Sequence, residues 1–189
     1  MSYQEYWTKI KSLYQELDQV TNSYWDNHSS FGDWQFWAVV AITIVPLLLL
    51  IRFVDQERLF EVFFFGFAVH IMWNYAGDVL ELKRYFIHTY FLTPMLPSIF
   101  NMAASALPVA FLLVYQYCTK HNKNFYIWIT VASAIFAFGI AHLERILGLV
   151  EFGRGFNSFY LLLVDLAVVL PAYWFTWFLV HVKKKSKQS

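Results

Sequence analysis

Residues 59–82 read LFEVFFFGFAVHIMWNYAGDVLEL, and this stretch decides the fold. A helix rising ~1.5 Å per residue covers about 36 Å over that length, enough to cross a hydrocarbon layer of ~30 Å. Inside the apolar run stand His70, Asn74 and Asp78, with Glu81 near its end. At ~100° per residue, and with His70 set at zero, Asn74 falls at about 40°, Asp78 at about 80° and Glu81 at about 20°. Gly66 and Gly77 share this sector, whereas Phe65, Ala68, Met72, Tyr75 and Val79 fall opposite and are assigned to lipid. An ionisable group inside a span costs ~2.5 to 3.5 kcal/mol on insertion scales, so the polar stripe is expected to face protein or water.

The remainder of the chain repeats this pattern. Of 189 residues, 59% are hydrophobic, 21% aromatic and 14% charged, with a mean hydropathy of +0.45. A soluble domain carries about 25% charged residues, so a soluble fold is excluded, and disorder with it. Net charge is +1 with a pI near 7.8, which leaves no basic footprint for nucleic acid. The sequence therefore predicts an all-α fold: a polytopic transmembrane helix bundle with an N-terminal amphipathic helix over residues 1–33. Five spans are expected at about 34–53, 59–82, 97–118, 125–147 and 157–181, with six as the alternative. No Asp, Glu, Lys or Arg occurs from Tyr85 to Thr119, a stretch divided by Pro94 and Pro97, so residues 85–96 read as a loop or re-entrant segment. A basic tail, 183–189, closes the chain. Five crossings put the termini on opposite sides, and Lys183, Lys184, Lys185 and Lys187 predict a cytoplasmic C-terminus in the cell membrane.

Near the N-terminus, Tyr3, Tyr6, Trp7, Ile10, Leu13, Tyr14, Leu17, Val20, Tyr24 and Trp25 recur three and four residues apart. The opposite face holds Glu5, Lys9, Lys11, Glu16 and Asp18. Residues 1–33 contain two lysines and five acids, the wrong balance for anchoring to anionic lipid. This helix is expected to lie on the membrane surface or against the bundle.

Other spans add polar seams. Asn101, Ser105, Pro108, Leu112, Tyr115 and Gln116 share a face, as do Ser158, Asp165, Val169, Ala172 and Thr176. Ser133, Ala137, Ala141, Glu144 and Gly148 form a small-residue seam, with His142 turned away. Consecutive spans alternate in direction, which places Asp78 and Glu81 near the level of Glu144 and Arg145. Asn74, Ser105 and Asp165 then lie ~10 to 12 Å deeper, with His70 near mid-membrane. The expected picture is a polar funnel. Asp78, Glu81, Glu144, Asp165, His70 and Asn74 form an ion or proton path, Arg145 is the counter-charge, and Asn101 and Ser105 line the interior. Asp165 has no cation at its depth, which marks it as a candidate relay.

No HExxH, paired-histidine, Cys-cluster or GxSxG motif is present, so the sequence predicts no catalytic residue, metal site or cofactor. A divalent ion held by Asp78, Glu81 and Glu144 is the weaker alternative. The lone cysteine, Cys118, reads as a small core hydrophobe.

Three stretches, FFFGFAVHIMWNYAGDVLE, YFLTPMLPSIFNMAASALPV and YQYCTKHNKNFY, resemble a family of small multi-pass membrane proteins from spore-forming Gram-positive bacteria. The similarity covers nearly the entire chain and implies an integral membrane protein of the cell envelope. It implies no chemistry and carries over no catalytic residue. The expected function is thus an integral membrane protein whose polar site binds or conducts a proton or small cation. The alternative is a non-catalytic membrane scaffold or partner-binding subunit. Expected partners are the lipid bilayer and either a second copy or another membrane protein, with no nucleic acid.

Overall fold

The computed structural model of the chain describes residues 1–94 and 105–186, and within them the fold is an all-α bundle with one small strand pair. Helix α1 (Tyr3–His28) starts at a reciprocal cap: the Glu5 amide donates to Ser2 Oγ at 3.3 Å and the Ser2 amide to Glu5 Oε2 at 2.6 Å. Next come α2 (Trp34–Phe53), a short turn at Gln56–Arg58, and α3 (Leu59–Leu82). Strand β1 (Phe86–His88) and helix α4 (Ala106–Lys120) follow. Helix α5 (Phe125–Ala134) runs through a π-helical segment (Ile135–Ile140) into α6 (Ala141–Ile146). Strand β2 (Val150–Phe152) and α7 (Ser158–Ser186) complete the fold.

Among the described residues four helices are long and apolar enough to cross a membrane: Trp34–Phe53, Gln56–Leu82, Phe125–Ile146 and Ser158–Lys183. Of the expected third span, residues 105–118 are described, and they belong to the 15-residue helix α4 and its N-cap Ser105. Large apolar side chains such as Leu48, Phe60, Phe67, Ile127 and Trp174 point outward from the bundle, as expected of a surface solvated by lipid.

Helices α3, α4, α5 and α7 close a ring in which each packs against two neighbours, and α2 lies outside it against α4. Helix α4 is buried nearly all round, through Leu107, Pro108, Val109, Phe111, Leu112, Tyr115 and Cys118. Its approach to α3 is set by Gly66, where a Cβ would run into the Leu112 side chain. Each ring helix gives one aromatic residue to a layer near one end. Phe65 stacks on Tyr115 at 4.5 Å, Phe125 stacks on Tyr173 at 4.1 Å, and Phe65 meets Phe125 edge-on at 5.9 Å.

The opposite end is covered by β1 and β2, which pair antiparallel with Phe86 opposite Phe152, Ile87 opposite Glu151 and His88 opposite Val150. Gly153 lets the returning strand pass the Arg84 carbonyl, which a Cβ would strike. Helix α1 is rooted at this end through its last turns. Tyr24 Oη donates to the Thr89 carbonyl at 2.9 Å, Trp25 Nε1 to the Phe91 carbonyl at 3.1 Å, and the Phe91 amide to Ser29 Oγ at 3.1 Å. Residues 1–20 are exposed throughout. Of the two expected placements of α1, on the membrane surface or against the bundle, contact with the bundle is seen only at its final turns, and among the described residues no helix packs against the first five.

Candidate functional site

Helix α7 turns Leu161, Asp165, Val168, Val169, Ala172 and Thr176 into the ring, which includes the polar stripe expected from the sequence apart from the half-buried Ser158. Asp165 is 1% exposed. The Trp73 indole Nε1 of α3 donates to Asp165 Oδ1 at 2.9 Å, while Oδ2 has no hydrogen-bond partner among the described residues. Beside it lies a cavity of about 20 Å³ lined by Trp73, Phe86, His88, Leu107, Phe136, Leu161 and Asp165. That is room for about one water molecule. Ring helices α3, α4 and α7 and strand β1 contribute to this wall, together with Phe136 of the π-helical segment that continues α5. A π turn inside an α-helix often marks a functional position.

Glu144 is the second buried acid, 6% exposed at the end of the Ser133, Ala137, Ala141 seam, all of which is buried. Its Oε2 has no hydrogen-bond partner among the described residues. A smaller cavity, about 10 Å³, separates it from Val39, Ile42, His88, Tyr90, Leu149 and Val150. His142 is exposed, as the sequence predicts.

His88 connects these features. It lines both cavities, and its Nδ1 lies 3.6 Å from Glu81 Oε2. At that separation the pair is an electrostatic contact rather than a direct hydrogen bond. The strand explains the orientation: Phe86 and His88, two residues apart, share the inward face of β1. Sequence reasoning missed His88. The available signal was that it is the single histidine in the charge-free stretch from Tyr85 to Thr119.

The structure corrects the expected faces of α3. Its buried stripe is Val62, Phe65, Gly66, Val69, Trp73 and Leu80, rotated by about 80° from His70 at ~100° per residue. Phe65, assigned to lipid, is fully buried. Polarity alone misplaced the stripe, because the side chain that reaches the ring's acid is the amphipathic Trp73. His70 and Asn74 are half-buried on the flank, where Asn74 Nδ2 lies 3.0 Å from His70 Nε2 and His70 stacks on Phe67. Neither lines the cavity at Asp165. Asp78 is half-buried nearby, with Oδ1 unpartnered among the described residues.

Arg145, expected as the counter-charge, is exposed and lies over the Phe152 ring at 5.6 Å. It makes no ion pair among the described residues, because its position at the end of α6 turns it outward while Glu144 turns inward. Ser105 is buried and donates to the Thr43 carbonyl at 2.6 Å, joining α4 to α2 rather than lining the cavity at Asp165. Asn101 lies outside the described residues. Among the described residues no three His, Cys, Asp or Glu side chains converge to hold a metal ion, so Asp78, Glu81 and Glu144 are not brought together as such a group.

A second polar group lies at the other end of the ring. Tyr115 Oη donates to Glu61 Oε1 at 2.6 Å, Arg58 pairs with the same oxygen, and Arg58 Nη2 reaches Thr119 Oγ1 at 3.0 Å. These bonds tie α3 and the turn before it to α4.

Comparison with protein-family models, with curated proteins and with solved structures finds no match to this chain. What the chain does is therefore read from its own residues and their geometry.

Proposed function

We propose that this chain is a proton-binding integral membrane protein, in which Asp165 exchanges a proton with the β1–β2 end of the bundle through His88. The observation that carries this reading is the setting of Asp165: buried in the ring, held on one oxygen by Trp73, without a partner on the other among the described residues, and lining a one-water cavity that His88 shares. A metal cation needs several oxygen ligands, whereas a proton needs one acceptor and a hydrogen-bonded neighbour. Imidazole suits the intermediate step, since one ring nitrogen can accept while the other donates. Glu81 and Glu144 are the outer acceptors, and Asp78, Asn74 and His70 form a separate polar edge on α3.

Binding is favoured over conduction. The aromatic layer of Phe65, Tyr115, Phe125 and Tyr173 stands between Asp165 and the far end, so access is from one side. The basic tail supports a cytoplasmic C-terminus, and with it a strand pair on the outer side.

The test is an acid pulse delivered to the full-length protein in lipid nanodiscs, read by a pH-indicating dye in weak buffer. Wild type should take up one more proton per chain than Asp165→Asn, and His88→Gln should retain that proton but acquire it more slowly. Equal uptake by wild type and Asp165→Asn would overturn the proposal.

A further inference from the structure

Residues Tyr3, Tyr6, Ile10, Leu13, Leu17, Val20 and Tyr24 follow one another at intervals of three and four without a break. This is a 3.5-residue repeat, the a and d positions of a heptad, held for three heptads. Tyr24, at the last a position, is used within the chain, on Thr89 and Phe91. The six positions before it are exposed by 37% to 77%, and Trp7 and Tyr14 flank them. The free seam is ~26 Å long at 1.5 Å per residue.

Two features of the chain select the occupant. A helix made to lie on lipid carries a basic polar face, but residues 1–33 hold two lysines against five acids. A strict a/d seam is also narrower than the apolar band of a helix resting on a broad surface, and it matches a second helix of the same period. Each copy of the chain sits in the membrane with one polarity, and each α1 is rooted at the same end of its bundle by Tyr24, Trp25 and Ser29. Two such helices meet in parallel and in register. Confinement to the bilayer raises their effective concentration, which offsets the marginal stability of so short a pair.

We propose that α1 joins two copies of this chain, pairing in parallel through the seam from Tyr3 to Val20. The single native cysteine, Cys118, is buried, so introduced thiols report without background. Full-length Leu13→Cys and Leu17→Cys, in liposomes under mild oxidation, should become disulfide-linked dimers. Thr8→Cys and Gln15→Cys, on the opposite face, should remain monomeric on the same gel. Leu13→Asp should halve the particle mass of the solubilised protein. Absence of linkage at every position, or equal linkage at all four, would overturn the proposal. Quenching of Trp7 by brominated lipid without linkage would place the seam on the bilayer instead, which also overturns it.

Discussion

Among the described residues the Asp165 carboxyl is held by one donor, the Trp73 indole at 2.9 Å, and both groups lie inside the ring. Trp73→Phe keeps an aromatic ring there and removes the donor. A buried acceptor deprived of its partner costs about 1 to 3 kcal/mol, so the unfolding midpoint in mixed micelles should fall by that equivalent. In an Asp165→Leu background the same substitution should cost clearly less, since the acceptor is gone, and the double-mutant cycle reads the difference. Asp165 and Glu144 were legible in the sequence because an acid among uncharged residues is conspicuous, and small or apolar neighbours at helical spacing show which way it turns. His88 was not, because its inward direction is set by three residues of strand paired across sixty positions, and periodicity within a helix carries no trace of such pairing. Arg145 misled for a related reason: adjacency to Glu144 in sequence places the two about 100° apart on a helix.

At the scale of elements, close approach is controlled at two glycines. Gly153 faces the Arg84 carbonyl, so Gly153→Ala should force β2 away from the turn after α3 and lower stability by about 1 to 3 kcal/mol, measured by denaturant titration. Gly66→Val should act likewise on the contact between α3 and α4, where Leu112 is in the way. The link between α2 and α3 is held differently. Lys120 Nζ donates to Asp55 Oδ2 at 2.9 Å, Gln116 Nε2 donates to the Phe53 carbonyl, and the Asp55 amide donates to Gln116 Oε1. The hydrogen bond from Lys120 holds the Asp55 carboxyl below its ordinary value of 3.8. A carboxyl shifted in this direction contributes stability that is fully present above its ordinary range and is lost as pH falls through the lowered folded value. Acid titration of wild type against Asp55→Asn should therefore diverge at neutral pH and converge below that value. The helix spans of α2, α3 and α7 could be read from the apolar runs alone. The rotation of α3 could not, because it depends on which neighbours are large enough to fill the ring, and Trp73 carries both apolar area and a donor.

For the molecule as a whole, the ring has a polar end beneath the strand pair and an aromatic end that closes it. Helix α1 adds little to this unit before Thr21, its one fully buried residue. Removing residues 2–20 should leave the bundle's unfolding midpoint unchanged within about 0.5 kcal/mol, as expected for exposed groups away from the core. Ser29→Ala should lower it, since Ser29 is buried and its hydroxyl bonds both the amide and the carbonyl of Phe91. The all-α architecture was readable from composition and hydropathy, whereas the closed ring depends on pairings between distant helices that a single sequence does not display. The most direct measurement of the central claim is an infrared pH titration of the full-length protein in lipid, following the carbonyl stretch of protonated carboxylic acid. The account predicts titrating intensity in wild type that is reduced by one carboxyl in Asp165→Asn, and that this component responds more slowly to a pH jump in His88→Gln. A titrating band of the same intensity in wild type and Asp165→Asn would contradict it.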